Sequence, residues 1–450
     1  MCTSAWLRCT GLSRGDSMDG RILIKGGTAF TNGKLEKADV LIGDGIILKI
    51  GHKIMAPDAN VFSAEGMIVS PGFVDVHVHL REPGLNHKET ILTGTRAAAA
   101  GGFTTVCAMP NVNPVPDCVE ALQRQLDIIQ RDALIEVIPY GSITKGEKGQ
   151  ELADIERLAP LCAGFSDDGK GVQPRDMMHA AMRRTAAVNG LLSAHCEEES
   201  LIPTGGCVHD GSCAKRFSLP GIPSKSEWLP IARDIELAAE TGVRYHVCHV
   251  SAKESVELIR KAKKQGLKVS CECTPHQIML CDEDILEDDG RYKMNPPIRS
   301  REDREAIMEG LADGTIDCIA TDHAPHTFAE KSQGLKRSSF GVVGLETAFA
   351  VCYTALVKTG RMTVEKLLDK MTAAPARILN REQTLKAGSR ADITILNVNE
   401  TWRVEPEKFL SMGRATPFAG MELTGRVLAT FFRSRQIFNK NPFHCGDSCR

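Results

Sequence analysis

The sequence predicts an α/β fold, because short apolar runs alternate with helix-like segments over most of its length. Each of eight apolar runs is followed by a segment with helical periodicity. Strands and helices that alternate in this way form parallel βαβ units. The runs are GFVDVHV (72–78), FTTVCAM (103–109), IEVIPYG (135–141), CAGFSD (162–167), LLSAH (191–195), YHVCHV (245–250), KVSCEC (268–273) and IDCIATD (316–322).

Eight such units are the number that closes a (β/α)8 barrel of the TIM type. Shorter β-rich text, with Gly and Asp where hairpins turn, flanks the central region on both sides. We expect these two flanks to meet in one small composite β-sandwich. The predicted division is a barrel over 71–376, a β domain from 19–70 plus 377–438, and tails at 1–18 and 439–450.

Composition narrows the class of partner. The chain has 450 residues, of which 42% are hydrophobic and 25% charged, and these values exclude a disordered or collagen-like protein. A formal charge of −2 gives no global field that would recruit nucleic acid or an acidic membrane, so we expect a small-molecule partner. Most of the sixteen cysteines lie in apolar runs, and the sequence shows no secretory signal, which together predict buried thiols in a reducing cytoplasm.

Histidine and aspartate recur at the ends of the predicted strands, where the active site of such a barrel lies. They are His77, His79, Asp167, Asp168, His195, His246, His249, Asp322, His323 and His326. The chain has only 13 histidines, so this concentration exceeds a chance scatter. Imidazoles and carboxylates without cysteine suit one or two Zn²⁺-like ions that keep a position open for water.

Such a site predicts metal-assisted hydrolysis. The metal lowers the pKa of bound water towards ~7, and a neighbouring carboxylate can take the proton and deliver it to a leaving nitrogen. Asp322, at the end of the eighth run, is the predicted acid–base group. Along an extended strand, His246 and His249 face opposite ways, as do Asp167 and Asp168, so only one of each pair can be a ligand. His323 follows Asp322 directly and is expected to face away.

Several longer motifs carry a family resemblance. They are PGFVDVHVHLREPG (71–84), FSDDG (165–169), AHCE (194–197), HVCHVS (246–251), YKMNPPIRS (292–300) and DCIATDHAPH (317–326). In this order they resemble the dihydroorotases of the bacterial class I type, within the amidohydrolase superfamily. The resemblance spans residues 20 to 430 and implies the reversible cyclisation of N-carbamoyl-L-aspartate to L-dihydroorotate, the third step of pyrimidine synthesis.

The resemblance also implies roles for individual residues. Asp168 matches a carboxylate that bridges two zinc ions, and Asp322 matches both a metal ligand and the acid–base group. The other implied metal ligands are His77, His79, His195 and His249. The implied substrate contacts are Arg81, Asn111 and His326 at the substrate carboxylate, with Asn295, Phe340 and Gly341 nearby. Arg81 offers a planar fork suited to a carboxylate.

Two rival functions stay open at this point. A hydantoinase or allantoinase shares the histidines but bridges its metals with a carboxylated lysine, and Lys170 lies two residues beyond Asp168. A non-catalytic, metal-free partner of aspartate transcarbamoylase is the other rival, although every ligand position is filled here. A homodimer is expected, whereas the number of metal ions and an association with aspartate transcarbamoylase stay open.

Overall fold

The computed structural model describes residues 20–440, so both predicted tails lie largely or wholly outside the described residues. Seven short strands come first: β1 (Ile22–Lys25), β2 (Thr28–Thr31), β3 (Lys34–Lys37), β4 (Asp39–Gly43), β5 (Ile46–Gly51), β6 (Asn60–Ser63) and β7 (Ile68–Pro71). Asn32-Gly33 and Asp44-Gly45 join β2 to β3 and β4 to β5, and all four residues have positive φ. This is the backbone of type I′ hairpin turns, which Asn-Gly and Asp-Gly favour.

The central region contains parallel strands that follow the predicted apolar runs. They are β8 (Phe73–Val78), β9 (Phe103–Ala108), β10 (Glu136–Pro139), β11 (Gly141–Ser142), β12 (Phe165–Ser166), β13 (Leu191–Ala194), β16 (Arg244–Val247), β17 (Val269–Cys273) and β18 (Cys318–Ile319). A short parallel pair, β14 (Val208–His209) and β15 (Gly221–Ile222), lies in the connection between β13 and β16. The last predicted run, 316–322, is extended over only two residues.

Helices separate these strands. They are α1 (Ile91–Ala100), α2 (Val119–Asp132), α3 (Ile155–Leu158), α4 (Arg175–Ala187), α5 (Ser212–Phe217), α6 (Lys225–Thr241), α7 (Lys253–Lys264), α8 (Pro275–Met279), α9 (Arg301–Asp313), α10 (Phe328–Lys331), α11 (Gly334–Arg337), α12 (Ala348–Cys352), α13 (Val364–Met371) and α14 (Ala373–Ile378). Thr90 and Ser300 begin α1 and α9 with reciprocal capping boxes, which satisfy backbone donors that a helix start leaves free. The α/β class is therefore confirmed.

The parallel strands can be followed from neighbour to neighbour, starting at β8 and returning to β8. One sheet has the order β10-β9-β8 and another β11-β12-β13-β16-β17-β18. The two sheets meet at Tyr140, because its N–H donates to Ala108 O whereas Gly141 N–H donates to Gly164 O. At the other edge Val78 and His323 form a parallel bridge. The carboxyl ends of all these strands consequently lie on one side of the molecule.

A further sheet joins strands from the two flanks. Three strands end the described chain: β19 (Ile393–Arg403), β20 (Glu422–Phe432) and β21 (Arg435–Asn439). The sheet order is β21-β20-β19-β7-β2-β3, and β19 pairs with β7 in antiparallel register. A four-stranded sheet, β5-β4-β1-β6, lies beside it, and Ile24, Val40, Ile393 and Phe431 share a buried apolar cluster.

The cysteine thiols of the described residues lie mostly in the protein interior. The described residues contain twelve free cysteines, and all of them are buried except Cys118, which is partly exposed. Burial raises the pKa of Cys107 and of the other core thiols, so these groups are inert, small apolar side chains. No helix within residues 20–440 combines the length and the apolar character needed to cross a membrane.

Candidate active site

His77 of β8 and His79, which directly follows that strand, meet Asp322, which follows β18. His79 Nε2 lies 3.1 Å from Asp322 Oδ1, and His77 Nε2 lies 3.5 Å from the same oxygen. The backbone holds the two segments together, because His79 N–H donates to His323 O and Asp322 N–H donates to His77 O. The spacing of two residues therefore does place both imidazoles on one strand face.

Asp168 lies between these residues and a second pair of histidines. Its Oδ1 is 3.3 Å from His77 Nε2, 3.7 Å from His249 Nε2 and 3.8 Å from His195 Nδ1, and its Oδ2 is 3.4 Å from His79 Nε2. All of these residues are buried. The structure thus brings together the six residues predicted as metal ligands, on the ends of five different strands.

Backbone kinks turn three site residues inward. His249 has φ 32°, Asp322 has φ 48° and Arg81 has φ 61°. Non-glycine residues seldom adopt this region, which costs on the order of 1–3 kcal/mol and occurs preferentially at functional sites. Simple strand alternation therefore predicts which face a residue starts from, but not where these three side chains finally point.

The donor set fits a metal ion. His77 Nε2, Asp168 Oδ1 and His195 Nε2 are buried atoms without a hydrogen-bond partner in the described chain, a costly arrangement unless another group satisfies them. Two ligand atoms on one tetrahedral Zn²⁺, each ~2.0–2.1 Å from it, are about 3.3 Å apart. The ligand distances of His77 and His79 to the two carboxylates, 3.1–3.5 Å, match that separation.

The electrostatics of the cluster favour a cation. Burial opposes charge on Asp168, yet the imidazoles of His77 and His249 hold the pKa of its carboxyl well below its ordinary value. Burial likewise opposes charge on His77, yet Asp168 and Glu272 raise the pKa of its imidazole well above its ordinary value. The buried carboxylates of Asp168, Glu272 and Asp322 make this an anionic environment, which is what a divalent metal requires.

Glu272 is a site residue that our sequence analysis missed. Its carboxylate is fully buried at the end of β17, where Oε1 lies 2.8 Å from His77 Nδ1 and Oε2 lies 3.0 Å from His246 Nε2. A carboxylate at Nδ1 fixes the proton there and directs the Nε2 lone pair towards the cluster. The available signal was a lone acidic residue within the apolar run KVSCEC.

Asp75 was also missed. It precedes His77 and His79 at the same spacing of two and accepts hydrogen bonds from Thr321 Oγ1 (2.6 Å), Thr321 N–H and His77 N–H. Burial is the main cause that raises the pKa of this carboxyl to about 7. Asp75 thereby ties β8 to the segment that carries Asp322, and the alternation D-V-H-V-H was a readable signal for it.

The remaining polar residues of the strand ends face elsewhere. Asp167 accepts backbone hydrogen bonds from Ile143 (2.8 Å) and Thr144 (3.0 Å). His323 Nδ1 accepts from Gly344 N–H at 3.2 Å, so it turns away from the cluster. Lys170 is exposed, unlike the buried Asp168, and this placement does not favour a lysine carbamate between the metal positions.

Arg81 and His326 lie beside the cluster on loops. Arg81 is only 7% exposed and donates from Nε to Pro325 O at 3.2 Å. His326 Nε2–H donates to Phe340 O at 2.7 Å, and Nδ1 accepts from Lys88 Nζ at 3.3 Å. Burial, with Arg81 and Lys88, lowers the pKa of His326 to about 3, so the imidazole is neutral.

Gly341 fits where a side chain would not. It has φ 126°, and an added Cβ would lie 2.7 Å from Ala324 O and 3.1 Å from His326 Nε2. The backbone of Phe340 and Gly341 therefore passes close to His326 because position 341 has no side chain. The structure brings this predicted segment to the same pocket as Arg81.

Of the two predicted asparagines, Asn111 bridges two side chains of the cluster and Asn295 binds a single carboxylate. Asn111 Oδ1 accepts from His79 Nδ1 at 2.8 Å, and its Nδ2 donates to Asp168 Oδ2 at 3.2 Å. Asn295 Nδ2 donates to both oxygens of Glu197, at 3.0 and 3.1 Å. Asn111 thus orients one imidazole and one carboxylate of the cluster, a contact that its predicted role in substrate binding did not include.

Solved structures with the same fold define the class. The chain is similar to the L-hydantoinase (dihydropyrimidinase) of Arthrobacter aurescens, with a TM-score of 0.84 and 26% identity over 93% of this chain and 96% of that one. Dihydropyrimidinase from Brevibacillus agri NCHU1002 gives a TM-score of 0.83 at 21% identity, over 93% of this chain and 95% of that one, and so shares the fold. Fold and site together define a cyclic amide hydrolase of the amidohydrolase type.

Sequence comparison is more specific. A family model described as Dihydro-orotase-like matches residues 66–255. Dihydroorotase from Bacillus cereus (strain AH820) is 50% identical over 410 residues, covering 91% of this chain and 96% of the relative. Dihydroorotase from Geobacillus sp. (strain WCH70) is 49% identical over 423 residues, covering 93% and 99%. The chain belongs to the dihydroorotase family, as the resemblance predicted.

Proposed function

We propose that this protein interconverts N-carbamoyl-L-aspartate and L-dihydroorotate with bound Zn²⁺, as the third step of pyrimidine synthesis. Family membership supports the substrate. The observation that carries the metal-dependent reaction is the group of buried, unsatisfied ligand atoms of His77, Asp168 and His195, gathered beside Asp322. Without a bound metal ion, these buried atoms would stay unsatisfied at a cost of about 1–3 kcal/mol each.

The proposed metal ligands form two overlapping sets around Asp168. His77, His79 and Asp322 would hold one ion, and His195 and His249 would hold a second. Potential ligand atoms of His77, His79 and Asp322, and those of His77, Asp168 and His249, lie within 4.8 Å of one another. When bound, Zn²⁺ would polarise the ring carbonyl and supply hydroxide near neutral pH.

Asp322 is the proposed acid–base group. In the hydrolytic direction its carboxylate takes the proton of the attacking water while oxygen bonds to the ring carbonyl carbon. As the carbon–nitrogen bond breaks, the same group gives that proton to the leaving nitrogen. Burial opposes ionisation of Asp322, but His79 and His77 keep the pKa of its carboxyl below the ordinary value, so it begins the cycle as a base.

Arg81 and His326 are the proposed recognition groups for the substrate carboxylate. Arg81 has its Nε on Pro325 O, and within residues 20–440 its Nη1 has no hydrogen-bond partner. This leaves one arm of the guanidinium for a ligand. Asn111, Asn295 and the Phe340-Gly341 backbone complete the proposed site. Each asparagine would bind the substrate through the hydrogen-bonding capacity that its contacts within the chain leave unused.

We also propose a domain architecture, a cellular compartment and an oligomeric state. The closed cycle of parallel pairings supports a (β/α)8 barrel over 71–376. The mixed sheet of β2, β3, β7, β19, β20 and β21 supports a small β-sandwich built from 19–70 and 377–438. Free buried cysteines support a reducing cytoplasm. We also propose a homodimer, which light scattering can test with and without aspartate transcarbamoylase.

One sample can test the activity against its rivals. The protein is purified without chelator, its zinc is counted, and dihydroorotate, hydantoin and allantoin are compared as substrates. We expect dihydroorotate to be opened fastest, with loss of activity after chelation and recovery with Zn²⁺. Faster turnover of hydantoin or allantoin would identify the rival cyclic amidase. A metal-loaded protein that turns over none of them would favour the non-catalytic partner.

A further inference from the structure

A cleft of about 600 Å³ opens at the end of the parallel strands opposite the active site. Its lining includes the first residues of three strands, Leu191 of β13, Arg244 of β16 and Val269 of β17, as well as Ile378 of α14. The metal ligands lie at the other ends of the same strands. Nothing in the proposed reaction uses this cleft, although its volume is in the range of small-molecule sites, roughly 300–1,000 Å³.

The lining carries an excess of positive charge. The lining has a single carboxylate, that of Asp317, and four cationic side chains, those of Arg244, Lys268, Lys370 and Arg377. Asp317 is already satisfied, because Lys263 Nζ lies 2.5 Å from Oδ2 and Cys271 N–H donates to the same oxygen. Arg377 pairs with Asp369 at 3.2 Å. The carboxylates near the cleft are thus committed to other partners.

Three of the cations have no such partner. Across residues 20–440, no carboxylate oxygen lies within 4.0 Å of Arg244, Lys268 or Lys370; each donates instead to a main-chain carbonyl, of Ile378, Gly242 and Ile316 respectively. Arg244 is partly buried, and this burial lowers the pKa of its guanidinium. A partly desolvated cation at a cleft is stabilised when an anion binds.

The lining also has an apolar part, beside the neutral polar residues Asn189, Ser270 and Asn380. Leu191, Val269, Ala374 and Ile378 contribute side chains that are otherwise buried. Inorganic phosphate would occupy a small part of this volume and leave these surfaces uncovered. A phosphate ester with a flat or apolar body would use both the cations and the apolar wall.

We propose that this cleft is a binding site for an organic phosphate, with Arg244, Lys268 and Lys370 receiving the phosphate and the Leu191, Val269 and Ile378 surface receiving the organic body. The site is separate from the metal cluster, so it stands whether or not the proposed reaction is correct. Arg and Lys are the usual partners of phosphate oxygens in proteins.

Calorimetry with adenosine 5′-monophosphate tests the proposal. We expect the nucleotide to bind, adenosine to give no heat, and inorganic phosphate to bind at least tenfold more weakly than the nucleotide. Saturating carbamoyl aspartate should leave the Kd of the nucleotide unchanged, because the two sites are at opposite ends of the strands. Displacement by carbamoyl aspartate, or equal affinity for adenosine, would overturn the assignment.

Variants place the ligand. Arg244→Gln combined with Lys268→Gln should raise the Kd for the nucleotide at least tenfold, while the matched pair Arg124→Gln and Lys34→Gln, both exposed, should leave it unchanged. Lys268→Gln alone removes an exposed side chain and should raise the Kd about threefold, which guards against a fold defect in the double variant. An unchanged Kd in both cleft variants would refute the site.

Discussion

The cluster of proposed metal ligands around Asp168 and the proposed recognition pocket, formed by Arg81, His326 and the segment that follows it, lie side by side but are built differently. His77 lies in β8 and His79 directly follows it, and side chains such as Glu272 and Asn111 fix their rings. Arg81 and His326 belong to loops, and the main-chain carbonyls of Pro325 and Phe340 fix their side chains. The cluster is therefore braced by the interior of the sheet, whereas the recognition pocket is braced by its own loops.

This difference separates two kinds of effect. A strand-borne imidazole with a buried carboxylate behind it can hold the sub-ångström geometry that catalysis needs. A cation on a loop, such as Arg81, instead supplies positive charge for binding an anionic substrate. We expect changes in the cluster to act mainly on kcat and metal affinity, and changes in the pocket to act mainly on KM.

Replacement of Asp322 should give the largest effect. Asp322→Asn keeps the size of the side chain but can neither accept the proton of water nor return it, so kcat should fall by roughly a thousandfold or more. Circular dichroism should show a retained fold, and exposed Asp44→Asn should keep the parent kcat. A near-parental rate in D322N would remove this residue from proton transfer.

Glu272→Gln should give the next largest effect, and it tests the bracing directly. An amide at this position cannot fix the Nδ1 proton of His77 by charge, so metal affinity or activity should fall about 10–100-fold. Metal titration of the apoprotein separates affinity from rate. The control is Glu254→Gln, an exposed residue of α7, and equal metal affinity in both variants would contradict the bracing role.

Arg81→Met should produce a smaller and different loss. The variant lacks a charge-assisted hydrogen bond worth about 1.5 kcal/mol, so KM for dihydroorotate should rise roughly tenfold while kcat changes less. Exposed Arg124→Met is the matched control. A fall in kcat at constant KM would place Arg81 with the cluster and break the distinction between the two regions.

The sequence predicted the residues that meet in the cluster better than the residues that hold them in place. Histidine and aspartate at strand ends are visible as a pattern, and alternation indicated that only one residue of each pair, Asp167/Asp168 and His246/His249, can face the cluster. Glu272 escaped because its role depends on a neighbour 195 positions away along the chain. The positive φ of Arg81, His249 and Asp322 was equally invisible, since no glycine marks these kinks.

The segment 327–341 shows the same limit in the recognition pocket. It mixes charged residues, Ser and Gly, and it contains α10 and α11, with Lys331 and Leu335 buried. Lys331 Nζ donates to Lys293 O at 2.9 Å and to Ser339 O at 2.7 Å. A buried lysine braced by carbonyls follows from the tertiary packing of this segment against 293, which local sequence does not encode.

Lys331 gives a prediction about stability instead of activity, and it is the most pH-dependent one. Burial, reinforced by Lys293, lowers the pKa of its ammonium from 10.5 to about 7, so between these values the unfolded chain binds the proton more strongly than the folded chain. Stability must then rise as the pH increases above about 7, and the penalty is complete below that pH. Lys331→Met lacks the penalty, so the parent should gain up to about 2 kcal/mol of unfolding free energy relative to it between about pH 7 and pH 9.

Urea unfolding measures the difference, and Lys336→Met, exposed in the same segment, should follow the parent at every pH. If the Lys331→Met and parent curves stay parallel, Lys331 keeps an ordinary pKa, and the recognition pocket retains its full cationic charge at alkaline pH.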